Sequence, residues 1–386
     1  MNIDSLKQEF LKINGGNTED IQVFFAPGRV NLIGEHTDYN GGYVLPCSLE
    51  FGTYLLVRTT VETKLRFKSM NFPMTAEVCQ KFEIKPMGSE WVNYPLGVIK
   101  EFFNRKLPVP GMELLYAGDI PNGAGLSSSA SIEVVTAYAI NSLMQLGLTN
   151  FELVKISQLA ENEFVGMQCG IMDQFAVTMG VRDHAIFLNC DTLDYDVVPL
   201  QLGDYKIVIS NTNKKRKLAD SKYNERRSHC EEAVKILGKE ISLKNLSELN
   251  VNNFNRLQNK ISDPIIRKRA KHVIFENQRV LDSVKALKSN DLIRMGQLMY
   301  ESHESLKNDY EVSCDELDIL VDEAKKVDGV LGSRMTGGGF GGCTVSLVNH
   351  SKVEIFQKEV GKNYKAKTGL TPDFYVAEIG DGVKRI

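Results

Sequence analysis

A seventeen-residue stretch, Ala26 to Gly42 (APGRVNLIGEHTDYNGG), constrains this chain more than any other part of it. Arg29, Asn31, Glu35, His36, Asp38 and Asn40 crowd into it among glycines, directly after the apolar run Ile21 to Phe25. That density of charge is too polar for a core element and predicts a loop following a strand. Carboxylates and imidazole make directional hydrogen bonds, and glycine lets backbone approach a ligand closely. A loop of this make-up therefore suits a clamp for sugar hydroxyls. A solvated connection rich in turn residues is the other reading of the same composition.

At 386 residues the chain is long for a single core, so two domains are expected. Strand-like alternation at Phe51 to Thr60, Leu65 to Met70, Gly111 to Ile120, Ala185 to Cys190 and Lys206 to Ser210 gives way to long helical patterns. Those run over Leu218 to Leu237, Ile265 to Leu287, Asp291 to Lys307 and Glu316 to Lys326, before a strand, a helix and a last strand close the chain. The class is α+β, with an N-terminal domain over residues 1–200 and a helix-rich C-terminal domain over 201–386. A net charge of −3 and a pI near 6.1 give no basis for binding nucleic acid or a membrane surface. The N-terminal MNIDSLKQEF reads as a polar amphipathic helix rather than a signal peptide, and no run of eighteen apolar residues occurs. Seven scattered cysteines without CxxC spacing indicate neither a disulfide framework nor a zinc site. A reducing cytoplasm is the expected compartment.

The second informative segment is Pro121 to Ser131 (PNGAGLSSSAS). Gly123 and Gly125 permit positive φ, and Ser127, Ser128 and Ser129 open a helix predicted to run to about Leu146. Unpaired N–H groups and the positive end of the helix dipole suit a phosphate chain there, and serine hydroxyls can bond phosphate or ligate magnesium. One N-cap needs one serine, not three behind a double-glycine turn. The usual GxxxxGK loop of NTPases is absent, as is the protein-kinase HRD and DFG set. A GxGxxG match at Gly337, Gly339 and Gly342 is followed by a strand from Cys343 rather than a helix, so it reads as a loop approaching a ligand by its backbone. In Gly170 to Phe175 (GIMDQF), Asp173 stands among Ile171, Met172 and Phe175. It is either a general base or the cap of the next turn.

Taken in order, these segments resemble the GHMP small-molecule kinases, and within them the members that act on galactose. Ala26 to Gly42 is similar to the sugar signature of those members, Pro121 to Ser131 to the family's phosphate loop, and Met335 to Cys343 (MTGGGFGGC) to its C-terminal glycine motif. GIMDQF, WVNY (Trp91 to Tyr94) and SKYNERR (Ser221 to Arg227) match as well, so the resemblance spans residues 26 to 343. It implies a two-domain fold with the active site in the cleft between domains. The implied reaction is ATP-dependent phosphorylation of α-D-galactose at the C1 hydroxyl, giving galactose 1-phosphate and ADP.

By motif position the resemblance implies Asp173 as catalytic base and Arg29 beside the transferred phosphoryl group. It puts Glu35, His36, Asp38, Gly170 and Tyr223 on the sugar. Gly123, Ala124, Gly125, Leu126, Ser127, Ser128, Ser129, Ala130 and Trp91 fall to the nucleotide, although Trp91 also reads as simple core. Magnesium is the implied cofactor, held by Ser129 and by a glutamate of AENEF. A straight helix from Thr149 puts Glu161 and Glu163 on the two flanks of one apolar face, so periodicity does not choose between them; the family pattern favours Glu161. The partners implied are galactose and ATP, with a monomer and no obligate protein partner. Three alternatives stand beside this reading. They are a relative acting on N-acetylgalactosamine or arabinose, a non-catalytic sensor of galactose and ATP, and a dinucleotide-binding oxidoreductase. The last requires a strand before the Gly337 loop.

Overall fold

Residues 1–80, 83–88, 90–121, 124–214 and 219–386 are described by the structure, a computed structural model. In chain order the strands are β1 (Gln22–Asn31), β2 (Tyr43–Val44), β3 (Pro46–Thr60), β4 (Lys64–Ser69), β5 (Ala76–Cys79), β6 (Gly111–Gly118), β7 (His184–Asn189), β8 (Tyr195–Pro199) and β9 (Tyr205–Asn211). After the long helices come β10 (Val330–Thr336), β11 (Cys343–Asn349), β12 (Asp373–Ala377) and β13 (Lys384–Arg385). The α-helices are α1 (Ile3–Asn14), α2 (Asn93–Asn104), α3 (Ser128–Met144), α4 (Asn150–Leu159), α5 (Met172–Met179) and α6 (Ala219–Leu237). They continue as α7 (Val251–Leu257), α8 (Pro264–Lys288), α9 (Leu292–Ser305), α10 (Asp315–Ala324) and α11 (Val353–Thr368). Helices and mixed sheets make this the expected α+β fold.

Period-two alternation explains how the first sheet, ordered β13-β1-β3-β6-β4-β5, is covered on both faces. Val23, Leu56, Leu115 and Ala117 point to one side, where Leu6 and Phe10 of α1 cover them. Phe24, Leu55, Val57, Leu114 and Tyr116 point to the other, against Leu96 of α2, Val134 of α3 and Leu153 of α4. Local signals set the helix starts. Thr149 and Glu152 form the expected capping box on α4. Asp263 caps α8 with Pro264 in its first turn. A second sheet, ordered β10-β11-β9-β12, shares a core with the loop after β1: Ile207, Ile209 and Val345 pack in one cluster with Val30, Leu32 and Ile33. The chain ends back at its beginning, with β13 paired to β1. Among the described residues no helix is long and apolar enough to cross a membrane.

Three expectations need correction, and a fourth falls partly outside the described residues. The polar segment Ala26 to Gly42 is not a solvated loop: β1 runs on through Arg29 to Asn31, and Arg29, Asn31, Glu35, His36, Thr37 and Asn40 are all buried. Burial of so many polar groups is tolerable because nearly every one has a partner, as the site shows below. Residues Val330–Thr336 form a strand that the polar pattern VLGSRMT conceals. The helix from Thr149 does not continue regularly to Glu163; its last turn, Ala160–Val165, is π-helical, so 100° per residue stops applying. The helix expected from Leu218 is described from Ala219, Leu218 lying outside the described residues.

Strand β10 is held by α9 at unusually short range. A Cβ at Gly296 would sit 2.1 Å from the Leu331 carbonyl oxygen, and one at Gly332 would sit 2.5 Å from the Gly296 Cα. Gly296→Ala must therefore push α9 off the strand that leads into the Gly337 loop. The expected cost is roughly 1–3 kcal/mol of stability, measured by denaturant unfolding. A full-strength melting curve for that variant would show that the contact can relax freely.

Candidate active site

Strand β1 delivers Arg29, α5 delivers Asp173, and the turn before α3 delivers Ser127 to one point. Arg29 Nε and Nη2 donate to Asp173 Oδ1 and Oδ2 at 2.8 and 2.7 Å, a bidentate pair, while Nη1 donates to the Gly125 carbonyl at 2.8 Å. Ser127 Oγ donates to Asp173 Oδ2 at 2.5 Å. Asp173 therefore does not cap the next turn. Ser127 does not cap α3 either: it stands at φ 61 and makes no side-chain cap bond. The first turn of α3 is left without a serine oxygen on its backbone N–H groups, the condition under which a helix N-terminus receives an anion.

Glu35 is saturated. Its Oε1 accepts from Thr336 Oγ1 (3.0 Å) and the Gly337 N–H (2.8 Å). Its Oε2 accepts from Asn31 Nδ2 (2.6 Å) and lies 2.7 Å from Arg334 Nη2. Burial raises its pKa, with Arg334 and the Gly337 N–H opposing. Asp38 differs. Burial, then Asp173, push its pKa up to about 7, against the Tyr39 backbone N–H, and its carboxylate packs on Gly170 so closely that a Cβ there would lie 1.9 Å from Oδ2. Gly170 is thus required by a close approach. The His36 and Tyr223 rings meet at a tilt with centroids 5.6 Å apart, and His36 Nε2 has no protein partner among the described residues.

These groups line one cavity of about 330 Å³ together with Gly125, Ser128, Ser129, Glu161 and Gly337 to Gly339. Glu161 is buried in the π-helical turn, where Gln174 Nε2 donates to it at 2.6 Å, whereas Glu163 is exposed. Burial, then Asp173, raise the Glu161 pKa to about 7, with the Ser129 hydroxyl opposing. Trp91 lies elsewhere, in an adjoining slot of about 130 Å³ with Phe72, Tyr94, Ser128 and Ser129. Its ring stacks on Phe72 at 6.5 Å, and its Nε1 is buried with no protein partner among the described residues. The side chains of Ala124, Leu126 and Ala130 are in the core, so only their backbone can face a ligand. Gly123 lies outside the described residues. Arg334, Gln174 and Glu133 were not legible as site residues. Glu133 is buried beside Glu161 and accepts from Gln174 Nε2 at 3.2 Å.

The Gly337 loop does follow a strand, β10, but leads into the antiparallel β11. It is a hairpin connection, and the helix that a dinucleotide fingerprint requires is missing from it. Among the described residues no group of three or more His, Cys, Asp or Glu is arranged to hold a metal ion. Magnesium, however, takes only one or two protein oxygens beside phosphates and water, and Ser129 with Glu161 meets that need.

A dipole-oriented anion cradle, an Asp–Arg pair and an open carboxylate in one cavity define a small-molecule phosphotransferase. The chain matches the GHMP kinases N terminal domain over residues 93–181, the GHMP kinases C terminal over 283–366 and the galactokinase galactose-binding signature over 8–59. It is 51% identical to a galactokinase of Fusobacterium nucleatum subsp. nucleatum over 98% of this chain and 97% of that one, and 49% identical to that of Bacillus subtilis over 96% of each. The crystal structure of Lactococcus lactis galactokinase complexed with galactose superposes with a TM-score of 0.97 at 43% identity over the full length of both. Methanococcus jannaschii mevalonate kinase, at 20% identity and a TM-score of 0.66 over 93% of this chain and 98% of that one, shares the fold. The chain belongs to the galactokinases of the GHMP kinase family.

Asp38 yields a sign-specific prediction for the protein without ligand. Its folded pKa of about 7 stands above the ordinary 3.8, so the penalty for ionising it grows from about pH 4 and is complete above pH 7. Asp38→Asn removes that penalty. It should raise Tm at pH 8, at roughly 2 °C per kcal/mol relieved, and change little at pH 4. Equal shifts at both pH values would contradict the assignment.

Proposed function

We infer that this chain transfers the γ-phosphoryl group of ATP to the C1 hydroxyl of α-D-galactose, giving galactose 1-phosphate and ADP. The observation that carries the reading is the convergence of Asp173, Arg29 and Ser127 at the mouth of α3, in the same cavity as Asp38 and His36. A coupled ADP-release assay across galactose, glucose, N-acetylgalactosamine and arabinose tests it. Galactose should be strongly preferred, and equal use of glucose would overturn the reading.

Asp173 is the general base in this proposal. Three donors occupy its carboxylate, two from Arg29 and one from Ser127, and the remaining acceptor capacity is available to a substrate hydroxyl. As the C1 oxygen bonds to the γ-phosphorus, its proton passes to Asp173 and the bond from phosphorus to the bridging oxygen breaks, releasing ADP. Arg29 has five N–H groups, of which three are engaged, so two remain for the phosphoryl oxygens. The N–H groups at the start of α3, with Gly125 and the serines, take the phosphate chain. Trp91 and Phe72 flank the base. Glu35, His36, Asp38, Gly170 and Tyr223 surround the sugar, with Asp38 the open acceptor because Glu35 is already filled. A hydroxyl pointing the wrong way leaves such a buried group unpaired, which discriminates by roughly 10⁴ or more.

Ser129 and Glu161 would hold Mg2+, which when bound neutralises charge on the polyphosphate. The cavity needs such a cation, since Glu35, Asp38, Glu161 and Asp173 line it against Arg29. We also propose the division near residue 200 into an N-terminal and a C-terminal domain, and soluble, cytoplasmic placement as a monomer.

Asp173→Asn keeps shape but removes basicity, and should lower turnover by roughly 10²–10⁴ with the fold intact. Near-normal turnover would pass the work to electrostatics alone. For the metal, Glu161→Gln should raise the Mg2+ concentration for half-maximal activity by about tenfold or more, while Glu163→Gln should leave it unchanged. The reverse would move the ligand to Glu163.

A further inference from the structure

Behind the sugar face of His36 lies a row of buried hydroxyls that the reaction itself does not use. His36 Nδ1 is 2.7 Å from the Tyr39 hydroxyl, which is 2.8 Å from the Tyr310 hydroxyl, which is 3.3 Å from Cys230 Sγ. Tyr310 and Cys230 are fully buried, and the Tyr310 ring is packed between His36 (4.8 Å) and His272 (4.6 Å). At the far edge of His36, which lines the cavity, Nε2 is buried with no protein partner among the described residues. The residue is held at φ 64, in the left-handed region that side chains of its type adopt only when the surroundings impose it.

We propose that the chain of groups Cys230, Tyr310 and Tyr39 fixes His36 as one neutral tautomer, with its proton on Nε2, so that the ring meets the sugar as a hydrogen-bond donor. This rests on the reading of His36 as a sugar contact.

The direction of the chain follows from donor and acceptor strengths. Each phenol has one proton, so the row must run one way or the other. Run outward from His36, it ends with the Tyr310 O–H donating to sulfur, a weak acceptor. Run inward, the weak S–H is the terminal donor, each phenol donates to oxygen or to imidazole nitrogen, and Nδ1 is the acceptor. The inward direction puts every strong donor on a strong acceptor. His272 cannot reset it: its Nε2 is 3.1 Å from the Glu35 carbonyl, which only accepts, and its Nδ1 is 2.9 Å from Ser305 Oγ.

The sugar side agrees. A hydroxyl that donates to Asp38 has only lone pairs left for a second neighbour, and an Nε2–H fills that role. The donor is not an imidazolium. Burial, then His272, Arg226 and Arg334, push the His36 pKa down to about 3.

The test uses the full chain labelled with 15N-histidine, in which long-range 1H–15N spectra distinguish the two neutral tautomers. The unaltered protein should show His36 as the Nε2–H form alone. Tyr39→Phe should give a mixture of tautomers and raise the galactose KM about fivefold, the worth of one ordinary hydrogen bond, with the ATP KM within twofold. Tyr310→Phe should shift both in the same direction by less. An Nδ1–H form in the unaltered protein, or an unchanged Nε2–H form in Tyr39→Phe, would overturn the proposal. His36→Asn, which suits a left-handed position, separates the underlying reading. An unchanged galactose KM there would remove His36 from the sugar, whereas the tautomer spectra judge the relay alone.

Discussion

The buried carboxylate of Glu35 is the joint on which the site depends. A carboxylate so far from water is destabilising by several kcal/mol unless its lone pairs are filled. Here they are filled from two sheets at once: Asn31 belongs to β1, and Arg334, Thr336 and Gly337 belong to β10 and the loop after it. Arg334 also donates to the Asn31 and Leu32 carbonyls, so it holds both the side chain and the turn that presents it. Helix α8 adds a third side, through Glu276 on the Gly34 N–H and His272 at the Glu35 carbonyl. Braced this way, a short polar loop keeps Gly34 and His36 at positive φ without a core of its own.

That joint fixes the glycine loop relative to the turn before α3. The Gly337 N–H that fills Glu35 Oε1 opens the glycine loop, and the same loop lines the cavity opposite Gly125 and the serines. Arg29, two residues before Asn31 on the same strand, is braced by the Gly125 carbonyl. Misplacement of reacting atoms by an ångström is costly in phosphoryl transfer, where alignment and charge supply most of the rate. The strand that brings Arg29 to Asp173 therefore also sets the loop that carries Glu35 and His36.

Much of this was legible in the sequence. Thr149 and Glu152 announced the start of α4, because caps act locally, and the serine run does open α3 although Ser127 makes no cap bond there. The candidate site was legible as motifs, and Glu35, His36, Asp38, Gly170, Asp173 and Tyr223 do line one cavity. What stayed hidden were partners distant in sequence. Arg334 and Gln174 carry no local signal, since nothing in VLGSRMT or GIMDQF says which carboxylate they will meet 13 to about 300 residues away. Burial of Arg29 and Asn31 was misread for the same reason, as polarity predicts exposure only when partners are not counted. Trp91 read as a nucleotide contact with simple core as the alternative, and it stands in a slot beside Phe72.

Counting donors separates two kinds of buried polar group in this molecule. Glu35 and Glu276 have their acceptor capacity met by the protein, and they hold shape. His36 Nε2, Trp91 Nε1 and one oxygen of Glu133 are buried with no protein partner among the described residues. In a folded interior such shortfalls are few, because each is destabilising by roughly 1–3 kcal/mol. Of these, His36 lines the main cavity and Trp91 the adjoining slot. A group left short in this way finds a partner only in water or a ligand, whereas Glu35 and Glu276 need none.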